Sequence, residues 1–232
     1  MGLKRFMTWE KNKLFVYGGV LVVLVLALGC SDDAGRALDG GVDGGDARVV
    51  DGTVDAVVDV DASLYPYTDE HGIVWLRIPE GSFEMGCSPG DVECPSDEFP
   101  VHTVEVEAFE MTETEITQQQ YASVTGASPS HFNDCGACPV EEVSWQQAHD
   151  FCAAVGGRLP SEAEWEYAGR AGETTCYYCG ATIECLSNIA WYFDTAGGQT
   201  QPVAELAPNA LVSYCMLGNV FEWVADCYHL DY

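Results

Sequence analysis

Three short helices are announced in the sequence by one repeated device. Thr117-Gln-Gln-Gln120, Ser144-Trp-Gln-Gln147 and Ser161-Glu-Ala-Glu164 are capping boxes. In each, a hydroxyl accepts from the first turn while the Gln or Glu three residues on reaches back to the cap. Apolar residues at helical spacing follow: Tyr121 and Val124; Ala148, Phe151, Cys152 and Val155; Trp165 and Ala168. Gly126, Gly156 and Gly169 or Gly172 stand where these helices should stop. Strands are expected over 73–78, 82–86 and 102–111. In the last of these, Val104, Val106 and Ala108 alternate with Glu105 and Glu107, the pattern of a half-buried strand. Beyond residue 170 the chain is dense in Gly, Cys and aromatic residues and reads as loop. The expected fold class is α+β with much irregular structure, not a doubly wound sheet.

The 170 residues that carry these signals follow a different kind of sequence. Lys4, Arg5, Lys11 and Lys13 precede an apolar run over residues 14–28. That run is short for a membrane span and suits the apolar part of an export signal. Ala27-Leu28-Gly29-Cys30 resembles the bacterial lipobox, in which the cysteine is acylated and becomes the first residue of the mature chain. Residues 1–29 are therefore expected to be a lipoprotein signal peptide and Cys30 its lipidation site. The alternative is an uncleaved anchor with an incidental cysteine. Residues 30–62 then form a tether. Residues 31–62 hold nine Asp and two Arg and no aromatic residue, too little apolar surface to offset chain entropy. Irregular Asp and Gly spacing argues for a solvated spacer over a calcium-binding repeat.

Charge narrows the partners. Past Lys13 only five arginines face the remaining acidic residues of a chain whose net charge is −28. Such a surface repels phosphate backbones, so nucleic acid is excluded as a partner, and cations such as calcium are the natural small ligands.

Residues 63–232 carry a family resemblance through motifs in a fixed order: Ile78-Pro-Glu-Gly-Ser-Phe-Glu-Met-Gly86; Pro100-Val-His102, Phe109-Glu-Met111 and Glu115-Ile-Thr117; Pro139-Val140 and Val143-Ser-Trp145; Gly157-Arg-Leu-Pro-Ser-Glu-Ala-Glu-Trp-Glu-Tyr167; Pro208-Asn209; and Leu217-Gly-Asn-Val-Phe-Glu-Trp223. This order resembles the formylglycine-generating enzyme, or sulfatase-modifying factor, domain, although Phe221 stands where a second tryptophan is usual. The resemblance implies a C-type-lectin-like fold. It also implies oxidation of a sulfatase cysteine to formylglycine with oxygen and copper. The two copper-holding cysteines of the family follow the Gly-Asn-Val-x-Glu-Trp motif, in a segment with no counterpart among residues 224–232. No catalytic residue is carried over to Cys215 or Cys227. The domain is expected to be truncated, and this chain inactive as written; copper is expected only for a complete member. The competing function is a non-catalytic, C-type-lectin-like module that binds a protein or glycan at the cell surface.

The family's Gly-Asn-Val-x-Glu-Trp loop binds calcium. By position, Gly218 and Val220 would offer carbonyls and Glu222 a carboxylate, all hard oxygen donors. A further family ligand, normally Asp or Asn, is here Cys215. The alternative is that Asn219 and Glu222 simply hydrogen-bond within the core.

Ten cysteines remain after Cys30, an even number that suits an oxidising compartment. Short separations make Cys87 with Cys94, Cys135 with Cys138, and Cys179 with Cys185 disulfide candidates. A split zinc site on Cys135, Cys138, Cys176 and Cys179 is the alternative. The five histidines show no ligand spacing, the glutamates 162, 164 and 166 lie at a helix start, and the tryptophans read as core and loop anchors.

Overall fold

A computed structural model describes residues 66–91 and 94–227, apart from the side chain of Asp97, and the backbone pairing of two N-terminal strands. Most of the signal segment, all of the tether, and Cys30 lie outside the described residues. Among the described residues no helix is long and apolar enough to cross a membrane.

The capping boxes set the helix starts. Thr117, Ser144 and Ser161 cap α1 (Gln118–Thr125), α2 (Trp145–Ala154) and α3 (Glu162–Arg170), with both reciprocal hydrogen bonds present in each. Gly126 ends α1 in the left-handed conformation, and Gly156 follows the end of α2 with φ of 80°. α3 runs through Gly169 and closes on Ala171. A single turn, α4 (Ile183–Leu186), lies in the loop-rich region.

The strands are β1 (Val22–Leu24), β2 (Ala27–Leu28), β3 (Tyr67–Thr68), β4 (Val74–Ile78), β5 (Gly81–Met85), β6 (His102–Val106), β7 (Phe109–Thr112) and β8 (Phe221–Trp223). The single strand expected over 102–111 is two. β6 pairs antiparallel with β5, and the chain then breaks at Glu107 and Ala108 so that β7 can pair with β4. Period-two alternation does not show such a change of sheet, because both pieces keep an apolar face. The order β2-β7-β4-β3 makes the central sheet, and β1 lies parallel to β8.

β4 organises the core because it is covered on both faces. Trp75 joins Ile73, Tyr121, Phe151 and Leu159 under α1 and α2, whereas Leu76 and Ile78 join Phe109, Met111, Ala168 and Met216 under α3. A third cluster of Leu186, Ile189, Ala190 and Leu217 seals the loop region. Tryptophan N–H groups tie the layers: Trp145 donates to Val224 O (2.9 Å), and Trp223 donates to Val143 O (3.1 Å). These two bonds lock β8 and the residues behind it against the start of α2.

Candidate functional site

The loop over residues 215–222 is built around one obligatory glycine. Gly218 has φ of 91°, and a Cβ there would lie 2.3 Å from Trp191 O. The close approach lets Asn219 N donate to that same carbonyl at 2.7 Å. Asn219 has φ of 55° and Cys215 φ of 57°, a region Asn tolerates and Cys does not favour. Gly218, Val220 and Glu222 thus lie together on one turn and the strand it feeds.

Their donor atoms are partly committed. Gly218 O accepts from Val220 N at 2.6 Å, which uses one of its two lone pairs. Trp165 Nε1 donates to Glu222 Oε2. Asn219 spans the loop, accepting from Gln201 N (3.0 Å) and donating to Gln201 O (3.1 Å). That bond pair is the core-bracing role the sequence left open for Asn219.

Glu115 lies beside Cys215, Asn219 and Glu222 of this loop, and sequence reasoning missed it. Its only signal was its place in Glu115-Ile-Thr117. It is 1% exposed, on the turn between β7 and α1. Burial first, and the nearby charge of Glu222 second, push its carboxyl well up from the usual range. The Cys215 thiol and Asn219 amide approach it and oppose the shift. Neither makes a full hydrogen bond, and both Glu115 oxygens are left without a partner. Glu222 is itself buried, and desolvation outweighs the Trp165 bond to push it up to about 8. Burial, with the charge of Glu115 next, holds the Cys215 thiol protonated. Three other buried polar atoms lack partners in the loop region, Trp191 Nε1, Thr200 Oγ1 and Ser213 Oγ.

The donor set fits a hard cation. Two carboxylates, backbone carbonyls and amide oxygens are calcium ligands, and orphaned buried oxygens mark the place where a cation or water belongs. Copper fits poorly. Among the described residues the thiols outside disulfides are Cys152, Cys176, Cys215 and Cys227; Cys152 and Cys215 are buried and Cys227 is exposed. They sit on different segments, and desolvation holds the Cys152 thiol protonated in the main core.

The other cysteines form disulfides between Cys87 and Cys94, Cys135 and Cys138, and Cys179 and Cys185. Cys87, Cys94 and Glu98 lie close enough together to resemble a metal site, but the disulfide uses both sulfurs. Cys135 and Cys138 are bonded to each other and Cys179 to Cys185, so these sulfurs are not available for the split zinc site.

The α3 glutamates have structural partners. Arg158 grips Glu164 with two bonds of 2.6 and 2.7 Å. Glu166 accepts from Gly86 N (2.9 Å) and from Arg170 Nε (2.8 Å). Asp226 accepts from Glu162 N at 2.6 Å, capping the helix from the far end of the chain. A cavity of 20 Å³ lined by Trp165, Arg170, Cys176 and Tyr178 has room for about one water.

Residues 66–232 match the family described as the sulfatase-modifying factor enzyme 1-like domain. The chain belongs to that family. It is 31% identical over 171 residues to the serine/threonine-protein kinase pkn1 of Chlamydia pneumoniae, covering 62% of this chain and 27% of the kinase. The chain therefore spans about a quarter of the length of that relative. The formylglycine-generating enzyme of Streptomyces coelicolor is 26% identical over 220 residues, with 68% of this chain and 70% of the enzyme covered. Among solved structures, PvdO from Pseudomonas aeruginosa superposes with a TM-score of 0.65 at 27% identity, covering 72% of this chain and 76% of PvdO. Treponema denticola variable protein 1 superposes at 0.60 and 28% identity, covering 66% and 72%. The sulfatase-modifying-factor-like domain of this chain is thus an α+β fold of the formylglycine-generating-enzyme type.

Proposed function

We propose that this chain is an exported lipoprotein, acylated at Cys30 and held at the outer face of a bacterial membrane. In this reading an acidic tether presents a formylglycine-generating-enzyme-like domain. The apolar run, the lipobox-like Ala27-Leu28-Gly29-Cys30, and three disulfides in the body support export. The domain holds calcium through Gly218 O, Val220 O and Glu222, as the hard donor set favours. A bound calcium would supply positive charge to the loop between Trp191 and β8, and Trp165 Nε1 donates to the Glu222 carboxylate that would help hold it.

The family's chemistry is oxidation of a protein cysteine to formylglycine, and these 232 residues do not perform it on their own. The observation that carries this is the state of the thiols: Cys215, three residues ahead of the family's Gly-Asn-Val-x-Glu-Trp loop, is closed in beside Glu115 and held protonated. A copper-thiolate centre needs deprotonated, convergent sulfurs. The test is incubation of the full chain with copper(I), oxygen and a sulfatase-type cysteine peptide, with mass spectrometry for the aldehyde. No aldehyde above the copper-only control is expected. Turnover by the purified chain would overturn the reading.

A further inference from the structure

We propose that the Cys135–Cys138 pair is a thiol–disulfide exchange centre that takes electrons from protein dithiols. It closes the shortest of the three disulfide loops among the described residues, with a sequence separation of 3 against 6 and 7. A cross-link that short removes the least chain entropy from the unfolded state. Nor does the turn depend on it, because every carbonyl from Cys135 to Pro139 is already engaged. Cys135 O accepts from Cys138 N (3.1 Å), Gly136 O from Gln119 N (3.0 Å), Ala137 O from Val203 N (3.1 Å) and Cys138 O from Gln118 N (2.9 Å). The Gln118 side chain donates to Pro139 O (3.2 Å) and, across the turn, to Phe132 O (2.8 Å). The backbone thus keeps both cysteines in place whether or not they are bonded, which a reversible pair requires.

The two cysteines are unequal. Cys135 is partly exposed, whereas Cys138 is 2% exposed. Gly136 and Ala137 between them are exposed and carry nothing larger than a methyl group. An incoming thiolate therefore meets Cys135 Sγ. The new bond forms there as the Cys135–Cys138 bond breaks, and the electron pair leaves on Cys138 Sγ. The partner's second thiol then attacks the partner sulfur of the mixed disulfide and releases Cys135. The partner gains a disulfide, and the pair gains two electrons and two protons. A buried leaving thiolate needs a hydrogen-bond donor. Cys138 Sγ lies 3.7 Å from the carbonyl of Thr200. That residue is 5% exposed, and its hydroxyl has no hydrogen-bond partner among the described residues. A spare buried donor on the residue that touches the leaving sulfur is matched to the thiolate.

The experiment equilibrates the full, folded chain with graded ratios of reduced to oxidised dithiothreitol, alkylates free thiols and maps them by mass spectrometry. Cys135 and Cys138 should be alkylated together before Cys87, Cys94, Cys179 and Cys185, with the melting midpoint lowered by no more than about 4 °C. In single turnover the oxidised chain should convert a synthetic two-cysteine peptide to its disulfide, and Cys138→Ser should not. Thr200→Val keeps the shape and removes the hydroxyl. It should slow that step about tenfold and raise the pH at which reduced Cys138 is alkylated by about one unit. Reduction of the pair only together with the other two disulfides, as the chain melts, would overturn the proposal. So would a peptide that keeps its thiols in the presence of the parent chain, a result that stands even if Cys138→Ser does not fold. A Thr200→Val chain that exchanges like the parent would overturn the role of Thr200.

Discussion

At the scale of single residues, two positions of the 215–222 loop carry opposite expectations. Gly218 cannot take a side chain, because positive φ and the Trp191 carbonyl both forbid it. Gly218→Ala should cost at least about 2 kcal/mol, read as a lower midpoint in urea unfolding. An unchanged midpoint would mean that the loop does not approach Trp191 this closely. Cys215 is the reverse case. Its left-handed backbone and its neighbour Glu115 suit Asn better than Cys. Cys215→Asn should raise the unfolding midpoint and tighten calcium binding, both measurable by thermal melts with and without calcium. A lower midpoint in both conditions would show that the buried thiol packs better than it donates.

At the scale of elements, the helix starts and the break between β6 and β7 show what sequence makes legible. Capping boxes are local, so Thr117, Ser144 and Ser161 could be read directly and each caps its helix. Ser144→Ala should cost about 1 kcal/mol in denaturant unfolding; no change would mean that Trp145 and its bond to Val224 set the helix start alone. The crossing of Glu107 and Ala108 to another sheet is a tertiary event, invisible in alternation. Glu115 was hidden for the same reason: nothing within the β7–α1 turn announces that residues 215–222 will pack over it. The Gly218, Val220 and Glu222 turn could be placed only through family likeness, since a lone glutamate has no spacing signature. The Arg158–Glu164 pair at the start of α3 gives a pH prediction. Burial raises the Glu164 carboxyl, but the Arg158 and Ser161 bonds outweigh it and hold it below the usual range. A depressed carboxyl contributes stability above its unfolded value and loses it as pH falls. Glu164→Gln should therefore be less stable than the parent at neutral pH and lose less below about pH 5. Parallel pH–stability curves would contradict this.

At the scale of the whole molecule, the sheets depend on segments far apart in sequence. β2 covers the outer edge of β7, and β1 lies along β8. If residues 1–29 are removed, as the proposed lipoprotein processing requires, both strands go with them and those edges open, which are places for strand addition. In a chain beginning at Cys30, hydrogen exchange should leave β4 protected while the outward amides of β7 and β8 exchange fast. Equal protection would show that another segment covers them. The acids tell a similar story, since Arg158 and Arg170 pair with Glu164 and Glu166 of α3 and not with the buried Glu115 and Glu222. The most direct test of that centre is diffraction from crystals of the chain grown in calcium, with an anomalous difference map. One peak is expected within bonding distance of the Glu222 carboxylate and the Gly218 and Val220 carbonyls. Only ordered water there, or a peak that leaves the Glu222 carboxylate aside, would contradict the calcium reading.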